Sequence, residues 1–475
     1  MDKITNRFLE LFYKISQIPR ESGNEKRFAD FLVNFAEENN LEYYRDETNN
    51  VLIKKHGNKE NNEPVILQAH IDMVCVKKEN SNHNFELDPI EIVKSGDVIS
   101  AKDTSLGADQ GIGLAIMLLI LEDKKIKHPD LECLFTTEEE TTFNGAVKFD
   151  YSKLIGKKLI NLDHCKDNSI VIGCDADICN KYVFKGKLID NSIPSYKIEI
   201  SNVKGGNSGI EIERSTKSAI MIMAKIIQKL QIEGDVLICK ISGGKSEGDI
   251  AISCKCIIKT KIKDIENKIK ENSIEKDIDI CVEKILNDCS FSLEDSKKII
   301  SEIINLKQGL IADKNNIITS GNIGMIETIN DNVIITGVLR SIEENDLQEQ
   351  NKENYMISKK NDFIVEEIYQ DSAWVPNINS RLLENYKKIY YEVNQEYPDL
   401  EITHGGLECS CIFEKIAGLD IISIGSIIED FHTVNEKMYI SSCEKTIKTI
   451  LAYLKYDKIR IKKEKNNDTR SRNEI

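Results

Sequence analysis

The sequence predicts an α/β chain, a mixed sheet flanked by helices, with an α+β segment inserted into it. Three observations predict this. Strand-like runs alternate with helical ones up to about residue 185, the texture then changes to short alternating strands, and the first texture returns after Trp374. At 475 residues the chain also exceeds the size at which one hydrophobic core stops growing efficiently. The expected division is 1–185 and 373–460 for one split domain, 186–372 for the insertion, and a charged flexible tail at 461–475.

In chain order, two amphipathic helices are expected between Asn6 and about Tyr44. They break at IPRESGNE, where Pro19, Ser22 and Gly23 supply turn and capping chemistry. Strands follow at 51–55, 65–74, 131–136 and 158–163, with a helix at 109–123. The insertion reads as strands such as 196–200 and 250–258 joined by helices such as 217–230. A helix rich in Tyr and Lys, an HGGLEC turn, a strand at 420–425 and a final helix near 441–455 close the chain.

Composition narrows the function. Against 64 Lys plus Arg stand 79 Asp plus Glu, and a formal charge of -15 argues against nucleic-acid or anionic-membrane partners. Small peptides and metal cations fit better. The N-terminal stretch has charges interspersed at helical spacing and lacks the apolar core of an export signal, so a cytoplasmic location is expected. The longest apolar run, Leu114 to Leu121, is far below the roughly 20 residues needed to span a bilayer. The 13 cysteines are scattered without regular spacing and read as reduced thiols.

Acidic and imidazole groups recur where predicted strands end. In VILQAHIDMV, His70 and Asp72 are two apart on a strand, so both face one side at its carboxyl end, as a ligand and its orienting carboxylate would. His-x-Asp alone is weak evidence, since a packed histidine explains it as well. In SLGADQGIG, Asp109 stands just before a helix, where a cap is the commonest explanation, and Gly111 and Gly113 permit close packing. The strand LECLFTT runs directly into Glu138, Glu139 and Glu140, whose mutual repulsion a cation would offset. Asp163 ends the strand of KKLINLDH, and His432 lies in HTVNE after IISIG. Carboxyl ends of strands are where open α/β sheets place their sites. Three carboxylates, Asp109, Glu140 and Asp163, plus a hydroxide would neutralise two divalent cations, with His70 and His432 as neutral ligands.

The ordered series IPRESGNE, HIDMV, GADQGIG, EEETTFNGA, INLD, KGGNSG, SGNIG, VLRS, AWVPN, HGGLEC and FHTVNEK resembles the M20 peptidases, specifically their aminoacyl-histidine dipeptidase branch. The resemblance implies a zinc-peptidase-like catalytic domain with an inserted lid. It implies two divalent metals, zinc first with manganese or cobalt as alternatives. His70 and Asp163 would hold one, Glu140 and His432 the other, and Asp109 would bridge them, with Asp72 orienting His70. Glu139 would be the general base acting on a water between the metals, and the substrate a dipeptide or short peptide, with Xaa-His dipeptides included. In the lid, Arg340 and Asn322 match substrate-binding positions, and an arginine fork suits a terminal carboxylate. A lid of this length either dimerises with a second chain or folds back to mimic that contact.

Departures from the pattern concentrate in the lid. Asn207 in KGGNSG replaces a histidine that helps stabilise the oxyanion; an amide still donates a hydrogen bond but carries no charge. Gly248 and Ile252 stand where an asparagine and an arginine are usual, and His164 and Cys165 follow Asp163 where Ser and Glu are common. Altered substrate choice follows more readily than a dead scaffold. Two other readings stay open, an N-acyl amino acid hydrolase on the same scaffold and a non-catalytic metal-binding homologue.

Overall fold

The computed structural model describes residues 2–59, 63–212, 217–273, 277–314 and 317–456. The charged tail at 461–475 lies outside them. The chain divides into two compact units, residues 1–173, 376–402 and 411–475 in the first and residues 174–375 and 403–410 in the second. The crossover therefore comes at 173/174, earlier than the expected 185/186. The reason is that the strand Ala176–Lys185 pairs on both sides with second-unit strands, Asn332–Ser341 and Phe363–Asp371. HGGLEC, expected in the resumed first domain, lies within the second unit.

The first unit is built on an eight-stranded mixed sheet. From one edge its strands are Glu42–Arg45, Val51–Lys55, Leu131–Thr136, Val65–His70, Lys158–His164, Asp420–Gly425, Ser169–Cys174 and Asp399–Thr403. The four central strands, Leu131–Thr136 to Asp420–Gly425, run parallel. Every residue of Val65–His70 and Leu131–Thr136 is buried, which explains their near-continuous apolar character.

Over that sheet lies the helix Ala108–Glu122, in which every side chain from Ala108 to Leu121 is buried. A helix that is apolar all round belongs inside, and it packs against the helix Lys3–Ser16 and the strands Val65–His70 and Lys158–His164. Gly113 makes that seat: a Cβ there would fall 2.9 Å from Leu162 Cβ and 3.1 Å from Ala69 Cβ. A small four-stranded sheet, Ile428–Glu429, Lys437–Tyr439, Val98–Ala101 and Ile92–Ser95, carries the connection 430–436.

Two expected boundaries move. The helix expected to reach about Tyr44 stops at Glu38, because Asn40 takes a left-handed conformation (φ 55°) and Glu42–Arg45 pairs antiparallel with Val51–Lys55. The strand expected to reach residue 74 ends at His70, because the carbonyls of Ile71 and Asp72 accept from Arg20.

The second unit holds a nine-stranded sheet, whose central path includes Ser195–Ser201, Cys254–Thr260, Val236–Gly243, Ile317–Ile329, Asn332–Ser341, Ala176–Lys185 and Phe363–Asp371. The helices Ala219–Glu233 and Leu293–Asn305 share one apolar core with it. Among the described residues no helix is long and apolar enough to cross a membrane.

Candidate metal centre

The strand ends of the first unit converge on one cluster. His70 closes its strand fully buried, and its Nε2 lies 3.3 Å from Asp109 Oδ1, 3.7 Å from Asp163 Oδ1 and 3.9 Å from Glu139 Oε2. His432 Nε2 lies 3.3 Å from the other Asp109 oxygen, Oδ2, and 2.9 Å from Glu140 Oε2. Asp109 thus turns one oxygen to each imidazole. Ligand atoms of His70, Glu139 and Asp163 lie within 4.8 Å of one another, and so do those of His70, Asp109 and Glu140.

Asp72 lies on the loop after the strand, and its buried carboxylate organises the cluster. Oδ1 stands 3.4 Å from His70 Nδ1 and accepts the Glu139 N–H at 3.1 Å; Oδ2 accepts the Glu140 N–H at 3.2 Å and the Ser22 hydroxyl at 2.8 Å. Asp109 has a non-helical ψ of 109° and Gln110 is non-helical too, so Asp109 stands just before the regular part of its helix, as the sequence predicts. Left-handed φ values at Glu138 (55°) and His432 (60°) place two non-glycine residues in a sparsely populated region on either side of the site. His164 turns away: adjacent strand residues face opposite sides, and its Nε2 meets Ser169 Oγ at 2.7 Å.

The electrostatics expose an unmet charge. Burial works to lower both imidazoles, yet the carboxylates win. His70 is raised well above its ordinary value by Asp163, Glu139 and Asp109, and His432 is raised to about 11 by Asp109 and Glu140. Burial and the Asp109 charge push Glu140 up to about 7, and burial raises Asp163. Asp109 goes the other way, because two imidazoles outweigh its burial. Divalent cations bound there would offset the same crowding of carboxylates, and their ligands would have to be deprotonated. The donor set of two imidazoles and at least three carboxylates fits a pair of such cations.

Four residues outside the sequence-derived set frame the site. Arg20 donates to the carbonyls of Ile71, Asp72 and Gly107, and Glu436 accepts the N–H groups of residues 106–109. Glu25 accepts the Glu138 N–H at 3.2 Å, and Ser22 meets Asp72. Their contacts are largely to backbone, which no side-chain pattern announces.

The predicted lid residues lie in the second unit. Arg340, 7% exposed, donates to Ser208 Oγ at 2.6 Å and lies 3.7 Å from Asp177. Its strand neighbours in register are Ser320 and Asp177, and Ser320 Oγ meets His404 Nε2 at 2.6 Å. Asn322 donates to the carbonyls of Glu247 and Asp249 at 3.1 and 2.8 Å, tying down the 247–249 turn. Asn207 is exposed, and its side-chain oxygen accepts the Gly209 N–H at 2.8 Å.

Comparison with known proteins places this geometry. Residues 66–456 match peptidase family M20/M25/M40. The chain belongs to that family. This M20/M25/M40 peptidase is 28% identical over 462 residues to the cytosol non-specific dipeptidase of Escherichia coli, covering 91% of this chain and 94% of that one. Its fold matches the aminoacylhistidine dipeptidase of Vibrio alginolyticus with a TM-score of 0.77 and 26% identity, over 95% and 98% of the two chains. A Staphylococcus aureus tripeptidase shares the fold at a TM-score of 0.58 and 18% identity, over 95% and 98%.

Proposed function

We propose that this peptidase hydrolyses dipeptides or very short peptides with two divalent cations, zinc first among them. The observation that carries the reading is Asp109, whose two oxygens face two different imidazoles, each of which has its own further carboxylate. On this reading His70 and Asp163 would hold one cation, His432 and Glu140 the other, and Asp109 would serve both.

Bound cations lower the pKa of water and polarise the scissile carbonyl. The chain supplies the rest. The Glu139 carboxylate takes the proton of the attacking water and returns it to the departing amine nitrogen. Asp72 supports it in two ways, holding His70 Nδ1 and fixing the Glu139 and Glu140 backbone, so ligand and base are set by one buried anion. Arg340 offers its guanidinium to a peptide's terminal carboxylate, and Asn322 and Asn207 shape and line the recognition surface of the second unit. The Escherichia coli relative is named a cytosolic, non-specific dipeptidase and the Vibrio one an aminoacylhistidine dipeptidase; these support a cytoplasmic setting and a panel that includes Xaa-His members.

The test is turnover by zinc- or manganese-loaded protein on dipeptides, Xaa-His dipeptides, tripeptides and N-acyl amino acids, beside Glu139→Ala. Cleavage of dipeptides by the parent alone is expected. Equal background turnover by both proteins would remove the proposal, and preference for N-acyl amino acids would redirect it.

A further inference from the structure

The connection 430–436 sends two side chains to one short segment. His432 reaches the Asp109 carboxylate, and Glu436, only 2% exposed, reaches the backbone that carries it. Glu436 Oε2 accepts the N–H groups of Leu106 (2.7 Å) and Gly107 (3.0 Å), and Oε1 those of Ala108 (2.8 Å) and Asp109 (3.3 Å). Those of Gly107, Ala108 and Asp109 lie at the helix start, which leaves such groups without partners, and a negative charge suits them.

The carbonyl side of the same segment is held by a cation. Arg20, also 2% exposed, donates to Gly107 O at 2.5 Å, and its other terminal nitrogen donates to Ile71 O and Asp72 O at 2.9 and 2.6 Å. Gly107 is therefore gripped at its N–H by an anion and at its C=O by a cation. It has a left-handed φ of 70°, and a Cβ there would fall 2.6 Å from Arg20 Nη2 and 2.7 Å from Met73 Sδ, so a side chain would strain the backbone and displace the Arg20 end of the clamp.

We propose that Glu436, with Arg20 as its counterpart, is a positioning residue that sets the Asp109 backbone and so presents that carboxylate to both imidazoles before any metal binds. The proposal rests on the two-metal hydrolase reading, but its first test needs no turnover. In chelator-stripped parent protein the amides of residues 106–109 should already exchange slowly with solvent, and zinc should change their protection by less than about tenfold. Fast exchange in stripped protein, slowed only by zinc, would show that the metal orders the segment and would overturn the proposal.

The second test separates charge from packing. Glu436→Gln keeps the shape but turns an amide toward donors; metal affinity, read by chelator competition, should fall on the order of 10- to 100-fold, with kcat reduced and KM little changed. Glu436→Asp keeps the charge and should recover part of the affinity. Parent-like metal affinity in Glu436→Gln would overturn the proposal, and if that variant does not fold, the exchange experiment decides alone. A parent that cleaves no peptide would instead remove the hydrolase reading and leave the exchange result standing.

Discussion

Asp72 shows how one side chain serves several others. Its two oxygens meet His70, the Glu139 and Glu140 amides and Ser22, and burial, which would raise its pKa, is outweighed by the His70 partner. Asp72→Asn should therefore lower metal affinity or activity on the order of 10- to 100-fold without unfolding the protein, read by chelator competition and kinetics. Glu139→Ala should keep both metals by elemental analysis while kcat falls on the order of 10²- to 10⁴-fold. His432→Ala should lose one metal equivalent; retention of both would show that the ligand assignment is wrong. Both site imidazoles are raised by their carboxylates, so they are protonated in the metal-free protein near neutrality and must discharge to bind. Zinc titration by calorimetry in buffers of different ionisation enthalpy should show net proton release, and affinity should rise with pH.

Among elements, the helix Ala108–Glu122 was the most legible and the most informative. Its apolar residues announced burial, and Gly111 and Gly113 announced close approach: a Cβ at Gly111 would meet Phe12 at 3.0 Å and Arg20 at 3.1 Å. Gly113→Ala should thus force the helix off Ala69 and Leu162 and cost about 1–3 kcal/mol of overpacking, seen as a lower denaturant midpoint. An unchanged midpoint would mean that the seat is loose. The strands Val51–Lys55, Leu131–Thr136 and Asp420–Gly425 lie where their runs of apolar residues predict. The strand expected at 65–74 was overrun because Arg20, distant in sequence, competes with the sheet for two carbonyls.

At the scale of the molecule, acid stability follows from imidazoles outside the cluster's ligand set. Burial lowers His128, and burial lowers His164 to about 4. Each is neutral when folded over a range where the unfolded chain, with a pKa of about 6.5, takes up a proton. Stability is therefore greatest above that value and falls as the pH drops toward about 4, by on the order of 1–3 kcal/mol for His164 in metal-free protein. His164→Gln should flatten the loss of urea midpoint between pH 7 and 5; an unaltered slope would refute it.

The order of elements, an inserted segment and the candidates His70, Asp72, Asp109, Glu139, Glu140, Asp163 and His432 could be proposed from the chain alone, because most stand close to the end or start of an apolar run and their motifs follow one family's order. Their gathering into one cluster came from the parallel pairing of four strands that are distant in sequence. Tertiary structure alone decided the parts played by Arg20, Glu25 and Glu436. They act mainly on backbone N–H and C=O groups, which every residue carries alike, so nothing in the neighbouring side chains marks where such a charge will land.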